Sequence, residues 1–493
     1  MKIQGAVAAL AGLIAAVAQA RGSGPDVDGF KAYELPAYTI VTRDAGAARP
    51  LPRLAAQIDG ALAKLLNRGV PKRTAPTWVV LVPEDLWQNY LRPGTGITGE
   101  FVPAKFANYV LIQSSRDDSA FARAFFHEYS HWFLHTQYGG IQPLWFAEGL
   151  AEFVESAEFR GKQGDVAWLG VARTYMGALG WIPVERVLQM DKNSREYRGL
   201  DTSAVFHREC WALVHRGFVA KPDFGRQMFA YLEAVNRLEP IEDAVQASFG
   251  TSIGDLDNTV HSYLWVGTTF LLPSNYKVMR LPVDPVPRIP LPDGRAMSEA
   301  QALELVADIM LASGFNSERL PEVAGALQRA APDSPAARSL LMRIAARNGQ
   351  DAMLEQLLAN VDAPDADPML LRGAGLALYE RVGNPVREDF VNRSFELLDR
   401  ALMSRPDDAE AAWAYSVLAA HLKRDLPTAE RRITNMSTLL PFNPYLAQAA
   451  ALVHKAAGNS EKMKAALQDT LNYSKTPEVT EWATKRLEAA AQH

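Results

Sequence analysis

One cysteine, Cys210, stands in a chain of 493 residues. A single thiol makes no disulfide within the chain and excludes a metal site built from several cysteines. No cysteine follows the apolar N-terminus, so no lipid anchor is expected there. Beyond that terminus no apolar run is long enough to span a bilayer. Trp265 to Leu272 is the nearest candidate and is too short. Dense Lys/Arg runs and basic–aromatic interleaving are also missing, and the net charge is only −5. Nucleic acid is therefore not an expected partner.

The residues that are present belong to a globular protein. Hydrophobic residues make up 48% and charged ones 22%, which fits neither wholesale disorder nor a polytopic membrane protein. The length calls for more than one core. At the start, Lys2 precedes an apolar run from Ile3 to Val17 that ends in Ala18-Gln19-Ala20. That is the pattern of a secretory signal peptide over 1–20, cleaved after Ala20. The expected location is periplasmic or secreted, with no stable membrane insertion after cleavage.

Local patterns divide the rest. Tyr38–Thr42, Thr77–Val82, Phe101–Val102 and Asn108–Gln113 read as strands, with helices near 52–66 and 84–90. Asn108–Gln113 is a candidate edge strand that a peptide could extend by β-augmentation. Helices are expected near 165–179, 184–190, 203–219, 225–235, 240–249 and 256–265. Five prolines between Pro282 and Pro292 mark an extended linker over 273–297. From Ser298 onward only helices are expected. Helix-ending glycines at Gly349, Gly383 and Gly458 suggest a period of about 34 residues, that of a tetratricopeptide-like array.

The chemistry concentrates between Phe121 and Phe159. His127-Glu128-Tyr129-Ser130-His131 is an H-E-x-x-H motif on a helix expected to start near Asp117–Ser119. The two histidines lie one turn apart on one face. They can share one Zn²⁺ per chain, with Glu128 as base on water. Phe125, Phe126, Tyr129, Trp132 and Phe133 wrap the helix in apolar surface. Burying imidazoles and a carboxylate there is costly unless they pair or bind metal. A third ligand must come from elsewhere. His135 is two turns from His127, roughly 12 Å along the axis, and cannot close a site on one ion. Glu148, on the helix that Pro143 opens, can. Glu152, one turn on, is the expected carboxylate behind a ligating histidine, with Glu155 the weaker alternative.

H-E-x-x-H followed by Trp145-Phe146-Ala147-Glu148-Gly149-Leu150-Ala151-Glu152 resembles the gluzincin pattern of thermolysin-type and aminopeptidase-type zinc peptidases. Its E-G-x-A-E form is similar to that of the peptidase-MA-like group. The resemblance covers about Tyr38 to Phe218. It implies His127, His131 and Glu148 as metal ligands and Glu128 as general base. It also implies an oxyanion donor on a downstream helix, where similar chains carry tyrosine and this one carries His207. Tyr197 and Tyr175 are the alternatives. The expected class is α+β. A small mixed sheet and zincin-like helical domain would occupy 28–272, the linker 273–297, and an all-α tetratricopeptide-like region 298–493. The expected function is peptide-bond hydrolysis on a peptide or protein substrate, with a possible protein partner on the repeats. The rival is a zinc-binding pseudopeptidase that serves as a scaffold.

Overall fold

The computed structural model describes residues 24–491, apart from 70–74, 93, 95–96, 115–116, 138–141, 171–179, 269–275, 360, 384–385 and 475–476. The signal-peptide expectation over 1–20 and Tyr175 lie outside the described residues.

The described residues form nine strands: β1 (Lys31–Glu34), β2 (Thr39–Thr42), β3 (Thr77–Val82), β4 (Gly99–Pro103), β5 (Asn108–Gln113), β6 (Glu158–Arg160), β7 (Val166–Leu169), β8 (Met279–Pro282) and β9 (Arg295–Ala296). Six make a mixed sheet in the order β4-β5-β3-β2-β1-β9. β3 runs parallel to β2 and β5, while β4 and β1 run antiparallel to their neighbours. With helices filling most of the chain, the class is α+β.

β5 is an inner strand, not the edge. It is paired on one side with β3 and on the other with β4. Among the described residues the two edges of this sheet are β4 and the two-residue β9. Strand order is set by long-range pairing, which a local run such as Asn108–Gln113 does not encode.

The sheet is buried on both faces, and alternate residues serve different cores. On one face Ile40, Val79, Leu81, Phe101, Val110 and Ile112 pack with Phe125, Tyr129, Trp132 and Phe133 of the motif helix (Asp118–Gln137). On the other, Val41, Val80, Val82, Val102 and Leu111 pack with Leu303, Val306, Ile309 and Met310 of the helix Glu299–Ser313. The helical region therefore closes the sheet rather than trailing behind it. The described part of the expected linker, 276–297, is extended, but it is no spacer: β8 pairs with β7 and β9 pairs with β1.

A second sheet, β6-β7-β8, replaces the start of the helix expected at 165–179. Trp168 of β7 lies beneath two guanidiniums, Arg160 at 4.1 Å and Arg280 at 5.0 Å from the ring centroid. Arg280 belongs to β8, far along the chain, so the local pattern could not reveal this partner.

From Glu299–Ser313 onward the helices build an array in which most pack on the next. Alternate members also touch: Pro335–Arg347 on Pro368–Glu380, that on Ala409–Leu422, and that on Pro444–Ala456. Proline opens three of these four helices, where its missing N–H costs nothing.

The helix Leu200–His215 returns to the motif helix and is pinned at its end by His215, which is 0% exposed. Its Nε2 lies 2.9 Å from the Lys277 carbonyl, so it carries the proton, and Nδ1 accepts from the Tyr263 hydroxyl at 2.6 Å. Burial drives this imidazole down to about 4, against the Lys277 carbonyl that favours its charge. The folded value lies below the unfolded value of about 6.5. The neutral ring thus stabilises the fold fully above about pH 6.5, and that contribution is lost as pH falls toward 4. Chemical denaturation should show wild type losing about 3 kcal/mol more than His215→Gln across this window. Parallel losses would rule out His215 as the titrating group.

Candidate metal centre

Three helices meet at the site. Asp117 starts the first: its Oδ1 accepts from the backbone N–H groups of Ser119 at 2.9 Å and Ala120 at 3.2 Å. One turn apart on this helix, His127 and His131 bring their rings to 5.1 Å. The second helix, Leu144–Glu155, follows Pro143 and carries Glu148 and Glu152. The third, Leu200–His215, carries His207. Gly149 lets the second and third helices touch. A Cβ there would stand 2.3 Å from the Cys210 carbonyl oxygen and 2.7 Å from Val214 Cγ2. The glycine beside Glu148 is therefore what allows His207 to reach the acidic helix.

Glu148 Oε2 lies 3.4 Å from His127 Nε2 and 3.4 Å from His131 Nε2. These three side chains could hold a metal ion. The carboxylate is 3% exposed, while the imidazoles keep 14% and 16%, so the site opens on the histidine side. His135 is not in the group. Its ring packs against Phe101 at 5.6 Å.

Behind the site the expected order changes. His127 Nδ1 lies 3.4 Å from Glu155 Oε2 and 4.0 Å from Glu152 Oε1. Glu155 is the nearer carboxylate behind His127. Glu152 instead faces His207, with Oε1 3.1 Å from Nδ1. Both glutamates were visible in the sequence. Their division of labour depends on how the helix is rotated.

Tyr197 lies on the turn Arg195–Arg198 and stacks on His207 with centroids 6.0 Å apart. Its hydroxyl donates to Glu148 Oε1 at 3.0 Å. It therefore orients the third ligand. Glu100 of β4 and Lys192 also border the site, joined at 3.6 Å. Neither belongs to a local motif, so sequence reading missed both.

The electrostatics favour a cation. Burial pushes Glu148 up, but His131, His127 and His207 outweigh it and hold its carboxyl well below the usual range. Burial pushes the His127 imidazole down, yet Glu148 and Glu155 reverse this and hold it well above its ordinary value. Five carboxylates (Glu100, Glu128, Glu148, Glu152 and Glu155) surround three imidazoles and the single ammonium of Lys192, so the cluster needs further positive charge, from protons or a metal.

Glu128 points to the sheet edge. Its Oε2 accepts the Phe101 N–H of β4 at 2.8 Å. Burial drives its carboxyl up to about 8, with His127 pulling it down and Glu100 pushing it further up. Gly99 leaves room for this carboxylate: a Cβ there would stand 2.7 Å from Glu128 Cγ and 3.1 Å from Oε1. Gly99→Ala should therefore displace Glu128 while sparing the three metal-binding side chains. A full complement of bound metal with at least about a tenfold loss of any Glu128-dependent turnover is expected. Wild-type turnover in this variant would show that the contact is slack.

No family model matches the chain, and no curated protein matches it.

Proposed function

We propose that this protein is an exported zinc-dependent peptidase of the gluzincin type. One observation carries the reading: a carboxylate oxygen stands 3.4 Å from two imidazole nitrogens, beside a glutamate bonded to an open strand edge. Ligand atoms about 2.0–2.1 Å from a tetrahedral zinc ion are about 3.3 Å apart, so the donors fit zinc. Three protein ligands leave one position for water or substrate.

The chemistry supplied by zinc at that position is polarisation of the scissile carbonyl and activation of water. Glu128 takes the proton from water and hands it to the leaving amine. The Phe101 N–H fixes its carboxylate for both transfers. Because Tyr197 is engaged with Glu148, His207 is the better candidate to donate to the developing oxyanion. Glu152 behind its Nδ1 would hold that ring in place. An extended peptide would add to the edge strand β4, its main chain paired with backbone groups other than the Phe101 N–H that Glu128 occupies. The helical array, read as tetratricopeptide-like, would receive a protein partner.

The second reading, a zinc-binding pseudopeptidase acting as a scaffold, is favoured by His207 standing where similar chains carry tyrosine. Digestion of a peptide library by the full chain separates the two. Cleavage by the zinc-loaded protein that stops with a chelator is expected. A library left intact at all metal loadings overturns the peptidase reading.

A further inference from the structure

The turn between β4 and β5 is seated in the helical array. Phe106 stacks near Trp413 at 5.8 Å and Tyr445 at 6.5 Å between centroids. Lys105 Nζ stands 4.5 Å over the Trp413 ring and 5.1 Å over the Tyr445 ring. Asn443 Nδ2 donates to the Lys105 carbonyl. Trp413 lies on the helix Ala409–Leu422, and Asn443 caps the helix that carries Tyr445. Two helices of the array thus grip one hairpin tip.

That tip is one end of β4. A few residues back along the same strand, Phe101 N–H binds Glu128 and Gly99 lies against its side chain. Glu100 meets Lys192 at the mouth of the site. β4 has a strand neighbour on one side only, β5. An edge strand held by one ladder opens more easily than an inner one. Its outer side rests on Glu128 and its far end rests on the aromatic cradle. Pro103, just before the tip, stiffens the link between the two.

We propose that the cradle of Trp413, Tyr445 and Asn443 is an anchor for the catalytic edge, with Lys105 and Phe106 as positioning residues that act through β4 on Glu128. The helical region is then part of the catalytic unit as well as a surface for partners. The effect on turnover rests on the peptidase reading above. The effect on β4 does not.

The test uses full-length Phe106→Ala and Trp413→Ala, with Trp413→Phe as the conservative rescue. Backbone hydrogen exchange is followed over residues 98–104 and, as controls, over β3 and β5. Exchange in β4 should quicken by about tenfold in both alanine variants, return toward wild type in Trp413→Phe, and leave β3 unchanged. Metal content should stay at the wild-type level while kcat falls and KM rises. If either alanine variant opens the whole sheet, Asn443→Ala and Phe106→Leu replace it as milder lesions. Exchange unchanged in β4, or raised equally in β3 by the milder lesions as well, overturns the proposal. Altered exchange with no hydrolysis in any form, wild type included, upholds the anchor and removes only the peptidase reading.

Discussion

Glu128→Gln is expected to lose at least about a thousandfold in kcat on any peptide the wild type cleaves, while keeping its metal. General acid–base catalysis contributes about 10²–10⁴-fold, and in the proposed mechanism one carboxylate serves as base and then as acid, so the upper part of that range applies. A thousandfold loss corresponds to about 4 kcal/mol of transition-state stabilisation. The substitution preserves shape. The glutamine carbonyl can still accept the Phe101 N–H that Glu128 Oε2 accepts at 2.8 Å. His127, His131 and Glu148 are untouched, so metal content should match wild type. Removing a carboxylate buried beside Glu148 and Glu100 should also leave the fold intact or slightly firmer. Wild-type hydrolysis by Glu128→Gln would exclude Glu128 as the base. Loss of metal along with activity would mean that Glu128 belongs to the ligand set instead.

His131→Ala is expected to abolish stoichiometric metal binding. Glu148 Oε2 is shared equally between His131 and His127, so removing one imidazole leaves a two-ligand site. Affinity should fall by well over the 10–100-fold typical of losing a group behind a ligand. Elemental analysis after dialysis reads this directly: about one metal per chain in wild type and close to none in the variant. The same assay ranks the two glutamates behind His127. Glu155→Gln should weaken binding by about 10–100-fold and Glu152→Gln by less, because Glu155 is the nearer at 3.4 Å against 4.0 Å. Full metal retention in His131→Ala would remove the site altogether. The reverse ranking would return Glu152 to the place behind His127.

What could be read from the sequence was what short-range geometry fixes. His127 and His131 share a helix face whatever surrounds them; Asp117 marks a helix start by capping, and Pro143 marks one by its fixed backbone angle. Glu148 was within reach because it lies on the helix next in the chain. What stayed hidden depends on distant pairing. β4 is an edge because β5 pairs with both β4 and β3, a fact of sheet order rather than of either segment. Val166–Leu169 is a strand because β8 lies beside it. Glu152 and Glu155 differ only in helix rotation, which is set by the approach of Gly149 to Cys210. The seat of Lys105 and Phe106 joins the chain's first strands to its last helices, and no local signal marks it.

Zinc titration of the metal-free full chain, with bound metal and peptide hydrolysis followed in the same samples, tests the central claim most directly. Hydrolysis should be absent without metal, rise linearly with zinc and level off at one zinc per chain. Hydrolysis that persists in metal-free protein, or a fully loaded protein that cleaves nothing, would contradict it.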